Sequence, residues 1–249
     1  MIYYTLGEGI TAFTTDRTIG RDPELIWQSL EHDAAVPEGL PHRYARPHQT
    51  HGDRTLLVAE DFFALPTNIQ EMIMEGKDAV MTQIRGLVLG VSTADCIPII
   101  LYDPEHRAAA AVHAGWRGTQ QRIVRKTIEE MRQTFHTDTA QLRCAIGPGI
   151  SMDSFEVGDE VYQAFVDVAI PMNDSVARRY PAHDGERWHL DLKEINRQQL
   201  LADGVPAANI EVSPIDTYTD ARFYSARREQ LPGDDNKCGR IFTAFYLSL

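Results

Sequence analysis

No apolar run in this sequence approaches the roughly 18 residues that a membrane-spanning helix needs. The opening residues, 1–9, have neither the basic start nor the long apolar stretch of a secretory leader. Cysteine is scarce. Cys96, Cys144 and Cys238 are an odd number without a short-range pairing pattern, which speaks against a disulfide framework and suits a reducing compartment. Positive charge is also in short supply: 24 Lys and Arg against 36 Asp and Glu leave a net charge of −12. A surface of that sign repels phosphate backbones and anionic lipid, so no nucleic-acid and no membrane partner is expected. There is no Gly/Ser linker, low-complexity tract, internal repeat or His-x-His pair. What these absences leave is a soluble, cytoplasmic chain of 249 residues, 43% hydrophobic, read as one domain over 1–249 with enough length for a substantial core.

What the sequence does contain is concentrated between residues 87 and 118. Apolar runs at 87–91 and 97–101 flank Thr93-Ala94-Asp95-Cys96, and a third run, 108–112, ends in His113-Ala114-Gly115-Trp116-Arg117-Gly118. A thiol and an imidazole thus close apolar, strand-like segments.

Around this centre the patterning predicts further elements. Residues 2–6 and 10–15 form a hairpin turned at Gly7-Glu8-Gly9. The G-x-G-x-x-A spelling there is not a dinucleotide fingerprint, because Glu8 would face a pyrophosphate and β-branched residues follow where a helix should open. Asp22-Pro23 opens a helix with Leu25, Ile26 and Leu30 on one face. Residues 33–47 read as loop, 55–59 as strand, 68–75 as a short helix, and 78–82 with 87–91 as paired strands. After Gly118 one amphipathic helix carries Ile123, Val124, Thr127, Ile128, Met131 and Phe135 on its apolar face. Strands at 142–146, 188–190, 210–212 and 240–247, and helices at 160–168 and 192–201, the latter stopped by Gly204, complete the chain. Hairpins mixed with helices predict an α+β fold.

His51, Cys96 and His113 would supply two imidazoles and a thiolate, donors that suit zinc with a fourth position left open. No two of them form a compact motif such as C-x-x-C or H-E-x-x-H. Two other readings therefore stand beside the metal. Cys96 could be a nucleophile activated by His113, with Asp95 or a backbone group orienting the imidazole, or simply a buried core cysteine.

The blocks Gln49-x-His51-Gly52, Thr93-Ala94-Asp95-Cys96-Ile97-Pro98, His113-Ala114-Gly115-Trp116-Arg117-Gly118, Ile146-Gly147-Pro148-Gly149-Ile150 and Phe155-Glu156-Val157-Gly158 together resemble one family. It is the bacterial laccase-domain family, variously called multicopper polyphenol oxidase-like and purine nucleoside phosphorylase. The likeness continues through Phe223-Tyr224-Ser225-Ala226-Arg227-Arg228 and Gly239-Arg240-Ile241, so it spans nearly the whole chain. It implies an α+β fold with a central mixed β-sandwich flanked by helices on both sides, and a single zinc ion held by His51, Cys96 and His113. Three stretches depart from the family pattern: Asp16-Arg17-Thr18-Ile19-Gly20 only partly matches an R-x-G-G-x-S segment, Asp216 stands where a cysteine is frequent, and 230–237 reads as an insertion.

The resemblance carries two kinds of chemistry. A multicopper relay draws on paired H-x-H motifs, which this chain lacks, so copper and polyphenol oxidation are disfavoured against one zinc per chain. Purine nucleoside chemistry is the other implication: phosphorolysis of adenosine, inosine, guanosine and methylthioadenosine, and deamination of adenosine, with nucleoside and phosphate as partners. Asp95 is a candidate proton shuttle, or else a strand-end carboxylate that accepts backbone hydrogen bonds. Arg117 at a helix start and Arg227 are candidate phosphate-binding forks, with Arg228 beside them. Trp116 could stack on a purine or belong to the core. Gly147-Pro148-Gly149 could admit a ligand close to the backbone or be a plain turn. Two rival readings are a Cys-His hydrolase of amide or peptide bonds, with a peptidoglycan-related role, and a zinc-stabilised binding module without turnover.

Overall fold

A computed structural model describes residues 1–36, 42–183, 185–230 and 239–248. Cys238 and all but the first residue of the 230–237 insertion lie outside the described residues. The chain opens with β1 (Ile2–Tyr4), β2 (Ile10–Thr14), α1 (Pro23–His32), β3 (Arg43–Ala45), β4 (Thr55–Leu57) and α2 (Thr67–Met74). The central segment is β5 (Ala79–Thr82), β6 (Leu87–Thr93), β7 (Ile97–Asp103), β8 (Ala108–Ala114), α3 (Trp116–Gln120), α4 (Ile123–Phe135) and β9 (Arg143–Ile146). It continues through β10 (Glu156–Val157), α5 (Asp159–Asp167), β11 (Ala177–Ala182), β12 (Gly185–Leu190), α6 (Leu192–Ala202), β13 (Ile210–Val212) and β14 (Ile241–Leu247).

Two mixed sheets dominate, one in the order β1-β2-β14-β6-β3 and the other β13-β9-β7-β8-β5-β4; β10-β12-β11 form a smaller third. Period-2 alternation decides how they stack. On β7 and β8, Ile97, Ile99, Leu101, Ala108, Ala110 and Val112 share a core with Ile123, Ile128, Phe165 and Ile195 of α4, α5 and α6. The intervening residues Ile100, Tyr102, Ala109 and Ala111 pack instead with Leu87, Leu89, Val91 and Phe245 of the other sheet. That sheet's outer face, through Phe13, Val88, Phe242 and Tyr246, is covered by Ile26, Trp27 and Leu30 of α1. The layers therefore run helix, sheet, sheet, helix, an α+β sandwich with helices on both sides. Asp22 caps α1 as its sequence context predicts, accepting from the N–H groups of Glu24 and Leu25 at 2.9 and 3.2 Å. Among the described residues no helix is long and apolar enough to cross a membrane.

Three expectations need correction. Residues 78–82 and 87–91 do not pair with each other: β5 lies between β4 and β8, while β6 lies between β3 and β14. Both strands are buried along their whole length. A strand of that kind takes a neighbour on each edge, and the chain between them crosses from one sheet to the other instead of folding back. The helix after Gly118 is also two helices, because Arg122 between α3 and α4 adopts a left-handed conformation with φ 59°. The Arg122 guanidinium donates to the Val168 carbonyl at 2.8 Å. The loop read over 33–47 contains the short β3, whose parallel pairing with β6 its own composition does not announce.

Candidate active site

Register brings the first two site residues together. β7 and β8 are antiparallel with Ile97 opposite Ala114 and Pro98 opposite His113, so the start of one strand, with Cys96 just before it, meets the end of the other. His51 arrives from a loop tied down at two points. The Gln49 amide donates to the Ser92 carbonyl and accepts from the Ser92 N–H, each at 2.8 Å. The carboxylate of Asp78 accepts from the N–H groups of Thr50, His51 and Gly52 at 3.2, 2.9 and 2.7 Å. His51 itself sits at φ 62°, a region an L-residue enters only where its surroundings hold it.

The ligand atoms of His51, Cys96 and His113 lie within 4.8 Å of one another, the one such cluster among the described residues. The two imidazoles meet edge to face with centroids 4.9 Å apart. Gly115 explains itself here, since a Cβ at that position would come within 3.0 Å of Cys96 Sγ and 3.1 Å of His51 Cδ2. His113 is buried, and its Nδ1 lies 2.7 Å from Asp78 Oδ1. That contact gives the Nδ1 proton to the Asp78 bond and makes Nε2 the ring atom that can ligate a metal once its own proton has left.

Burial alone would raise the Cys96 thiol, but the charge of His113 and hydrogen bonds from both histidines hold it well below the usual thiol range. Burial would likewise lower His113, yet the Cys96 charge and Asp78 carry it above the usual imidazole range. Cys96 and His113 therefore favour a thiolate beside an imidazolium. A thiolate and two imidazoles are a donor set that fits a single borderline-soft metal ion, so His51, Cys96 and His113 could hold one.

The cluster forms part of the wall of a cavity of about 520 Å³, whose lining includes Arg21, Arg46, Arg227 and Arg240 together with the apolar Trp116, Ile150 and Phe155. Burial and the neighbouring charges of Arg46 and Arg240 pull Arg21 below its usual range, so these guanidinium groups share one electrostatic environment. In a chain of net charge −12 this is a local basic pocket.

The sequence-derived candidates separate at this point. Arg227 lines the cavity, its guanidinium donating to the Glu156 carbonyl at 2.8 Å. Arg117 does not: it is exposed, with its guanidinium 4.3 Å over the ring of its own neighbour Trp116. Arg228 donates to the carbonyls of Thr217, Tyr218 and Phe223 and so binds a loop together. Asp95 reaches the cavity wall, yet its carboxylate already accepts from Thr217 Oγ1, Ser225 Oγ and the Arg227 N–H. Those donors match the hydrogen-bond-accepting role, not that of a shuttle with a free oxygen. Gly149 is a packing glycine, because a Cβ there would meet Ile97 Cδ1 at 2.4 Å and the Asp95 carbonyl at 3.1 Å.

Sequence reasoning passes over Asp78, Arg21, Arg46 and Arg240. The one signal for Asp78 is an acid directly before the apolar segment Ala79-Val80-Met81, where a buried sheet gives a carboxylate no water to face.

A layered sandwich with a His-Cys-His cluster where two central strands meet defines an α+β protein built around one pocket whose donors could hold a metal ion. The chain belongs to the multi-copper polyphenol oxidoreductase laccase family, whose pattern matches residues 14–248. It is 44% identical over 202 residues to adenosine deaminase RL5 of an unknown prokaryotic organism, covering 80% of this chain and 73% of that relative. It is 39% identical over 209 residues to a purine nucleoside phosphorylase of Bacteroides thetaiotaomicron, covering 84% and 74%. The crystal structure of YlmD from Geobacillus stearothermophilus shares the fold with a TM-score of 0.79 at 25% identity, over 100% of this chain and 97% of that one.

Proposed function

We propose that this protein is a zinc-dependent purine nucleoside enzyme that phosphorolyses adenosine, inosine, guanosine and methylthioadenosine and deaminates adenosine. The observation that carries the reading is the joining of the His51, Cys96 and His113 donors and several arginines in one cavity. The names of its relatives, adenosine deaminase and purine nucleoside phosphorylase, supply the substrate class. One thiolate and two imidazoles accept zinc or a single copper ion; zinc is favoured because the family resemblance implies one zinc and the sequence has no His-x-His pair from which to build a multicopper relay.

Zinc held by these three side chains would supply a Lewis acid that polarises water or a substrate oxygen. The remaining roles belong to the chain. Arg227, with Arg21 and Arg46, neutralises phosphate as its oxygen attacks C1′ of the ribose. The C1′–N9 bond breaks, and the leaving purine takes up on its ring nitrogen, through solvent, the proton that hydrogen phosphate gives up as it becomes ribose 1-phosphate. Trp116 and Phe155 offer flat apolar surface for the base. In deamination water adds at C6 and ammonia leaves. Asp95 positions Arg227 in this scheme by accepting from its N–H. The whole of 1–249 acts as one domain in the cytoplasm, on nucleoside and phosphate, with no nucleic-acid or membrane partner.

The test is to incubate the zinc-loaded protein with adenosine, with and without phosphate, and to separate the products. Adenine and ribose 1-phosphate are expected only with phosphate, and inosine in both arms. Recovery of adenosine alone in both arms would defeat the proposal. The polar contact between Cys96 and His113 favours one rival, a metal-free Cys-His hydrolase. Elemental analysis separates the two: about one zinc per chain, lost in both His51→Ala and His113→Ala, is expected for the metalloenzyme.

A further inference from the structure

Asp78 is fully buried just ahead of β5, and its carboxylate accepts four hydrogen bonds. Oδ1 takes the His113 ring Nδ1 at 2.7 Å and the His51 N–H at 2.9 Å. Oδ2 takes the Gly52 N–H at 2.7 Å and the Thr50 N–H at 3.2 Å. Its main chain is engaged as well, for the Asp78 carbonyl accepts from the His113 N–H at 2.7 Å and the Asp78 N–H donates to the Arg54 carbonyl at 2.9 Å. One carboxylate thus grips both histidines of the cluster, His113 by its ring and His51 by its backbone. The two histidines are 62 residues apart in sequence, and neither regular structure nor a compact motif connects them. His51 also occupies a left-handed conformation that the three N–H bonds to Asp78 hold in place.

We infer that Asp78 is the positioning residue of the metal site, fixing the tautomer and ring plane of His113 and the backbone of His51 in a single arrangement before any metal arrives. The inference rests on the metal-site reading above and goes beyond it by naming the group that preorganises the donors. A carboxylate behind a ligating imidazole raises its basicity and holds its orientation, and loss of such a partner lowers metal affinity by about 10- to 100-fold. In Asp78→Asn the charge is lost and an NH₂ group takes the place of one oxygen, so either the pair His113 Nδ1 and His51 N–H or the pair Thr50 N–H and Gly52 N–H loses its acceptor, and the ring and the loop are no longer held by one carboxylate.

Asp103 provides a matched control at the far end of β7 from Cys96. It is equally buried and also holds an imidazole, with Oδ2 2.9 Å from His106 Nδ1, while Oδ1 accepts from the N–H groups of Glu105 and His106. It touches none of the three donors. The experiment uses the full chain stripped of metal, in wild-type, Asp78→Asn, Asp78→Glu and Asp103→Asn forms. Zinc is titrated in competition with a chromophoric chelator, and the cobalt-substituted proteins are compared by visible absorption.

The expected result is a zinc dissociation constant about 10- to 100-fold weaker in Asp78→Asn with altered cobalt bands, against a change within about twofold in Asp103→Asn. Should Asp78→Asn fail to fold, Asp78→Glu retains the charge at a displaced position and is expected to bind zinc more weakly with an altered cobalt spectrum. Wild-type affinity and spectrum in a folded Asp78 variant would overturn the inference, as would equal losses in Asp78→Asn and Asp103→Asn. A wild-type chain that binds no zinc would remove the metal reading itself, and neither outcome depends on nucleoside turnover.

Discussion

The carboxylate of Asp95 accepts a hydrogen bond from the backbone N–H of Arg227 at 2.7 Å, across 132 residues of sequence. The same carboxylate takes Thr217 Oγ1 at 2.7 Å and Ser225 Oγ at 2.9 Å. Its backbone carbonyl accepts from the Ile150 N–H at 2.9 Å. Asp95 sits at φ 81° in the turn that leads into Cys96. That turn therefore does two jobs: it delivers the thiolate to the metal cluster and it anchors the segment that places Arg227 over the same cavity.

Asp95→Ala should consequently act through structure. Removing the acceptor leaves a backbone N–H and two hydroxyls without their partner in a region that is mostly buried, at a cost of about 3 kcal/mol. The expected outcome is a lowered denaturation midpoint together with a raised KM for phosphate. A proton-shuttle role predicts a different pattern, with kcat lost and the midpoint unchanged. Urea denaturation and steady-state kinetics on the same preparation distinguish the two.

Arg227→Ala should raise the KM for phosphate by about tenfold, the order expected when one charge-assisted contact worth about 1.5 kcal/mol is lost. Arg117→Ala should leave that KM within about twofold, because its guanidinium lies over the Trp116 ring on the exposed side of α3. Phosphate-dependent release of adenine from adenosine measures both variants. A large effect confined to Arg117→Ala would reverse the assignment.

The contrast between these arginines shows what a sequence can convey. Cys96 and His113 are legible because each closes an apolar run, and antiparallel register then sets such ends side by side. The near-continuous apolar runs 87–91, 97–101 and 108–112 likewise announce strands buried on both faces. The expected pairing of 78–82 with 87–91 fails, because two strands buried on both faces look alike whether they neighbour each other or lie in opposite sheets. Asp78 escapes notice for a related reason: its four partners come from residues 50–52 and 113, and the one local mark is its place directly before the apolar segment 79–81. Arg117 is favoured by its place after Gly115, but position in a chain does not fix where a long side chain points. The cavity arginines 21, 46 and 240 come from three separated segments and resemble ordinary surface residues until the fold assembles them.

Metal-free protein should be alkylated by iodoacetamide at Cys96 and not at Cys144. Cys144 is buried on β9, and burial pushes its thiol far above the usual range, so it offers no thiolate. Cys96 is partly exposed and, although burial opposes it, His113 and His51 bring its thiol down to about 6. Below that value the thiol is protonated and the reaction slows; above it the thiolate is fully formed and the rate levels off. In His113→Ala the thiol should return toward the ordinary value near 8.5, slowing alkylation at pH 7 by roughly an order of magnitude. Added zinc should protect Cys96. Peptide mass spectrometry over a pH series measures all three effects, and equal labelling of Cys144 would contradict the assignment.

Asp216, where the family frequently has a cysteine, gives a pH-dependent prediction independent of the metal. Burial alone would raise its carboxyl, but Ser154 Oγ–H, the Tyr218 N–H and both the Oγ–H and N–H of Ser151 outweigh this and hold it below the usual carboxylate range. A carboxyl depressed in the folded state contributes stability that is fully present above its unfolded value, near 3.9, and that is lost as pH falls through the lower folded value. Asp216→Asn cannot accept all four donors, so its melting temperature should fall below that of the wild type at pH 7. The difference should hold down to about pH 5 and then shrink toward pH 3, because the wild type alone loses this contribution as its carboxylate takes up a proton. Thermal scans of both proteins across that range provide the measurement. A difference that stayed constant into acid would mean that the donors around Asp216 favour its neutral and ionised forms equally, and the cradle of Ser151, Ser154 and Tyr218 would then be a matter of shape and not of charge.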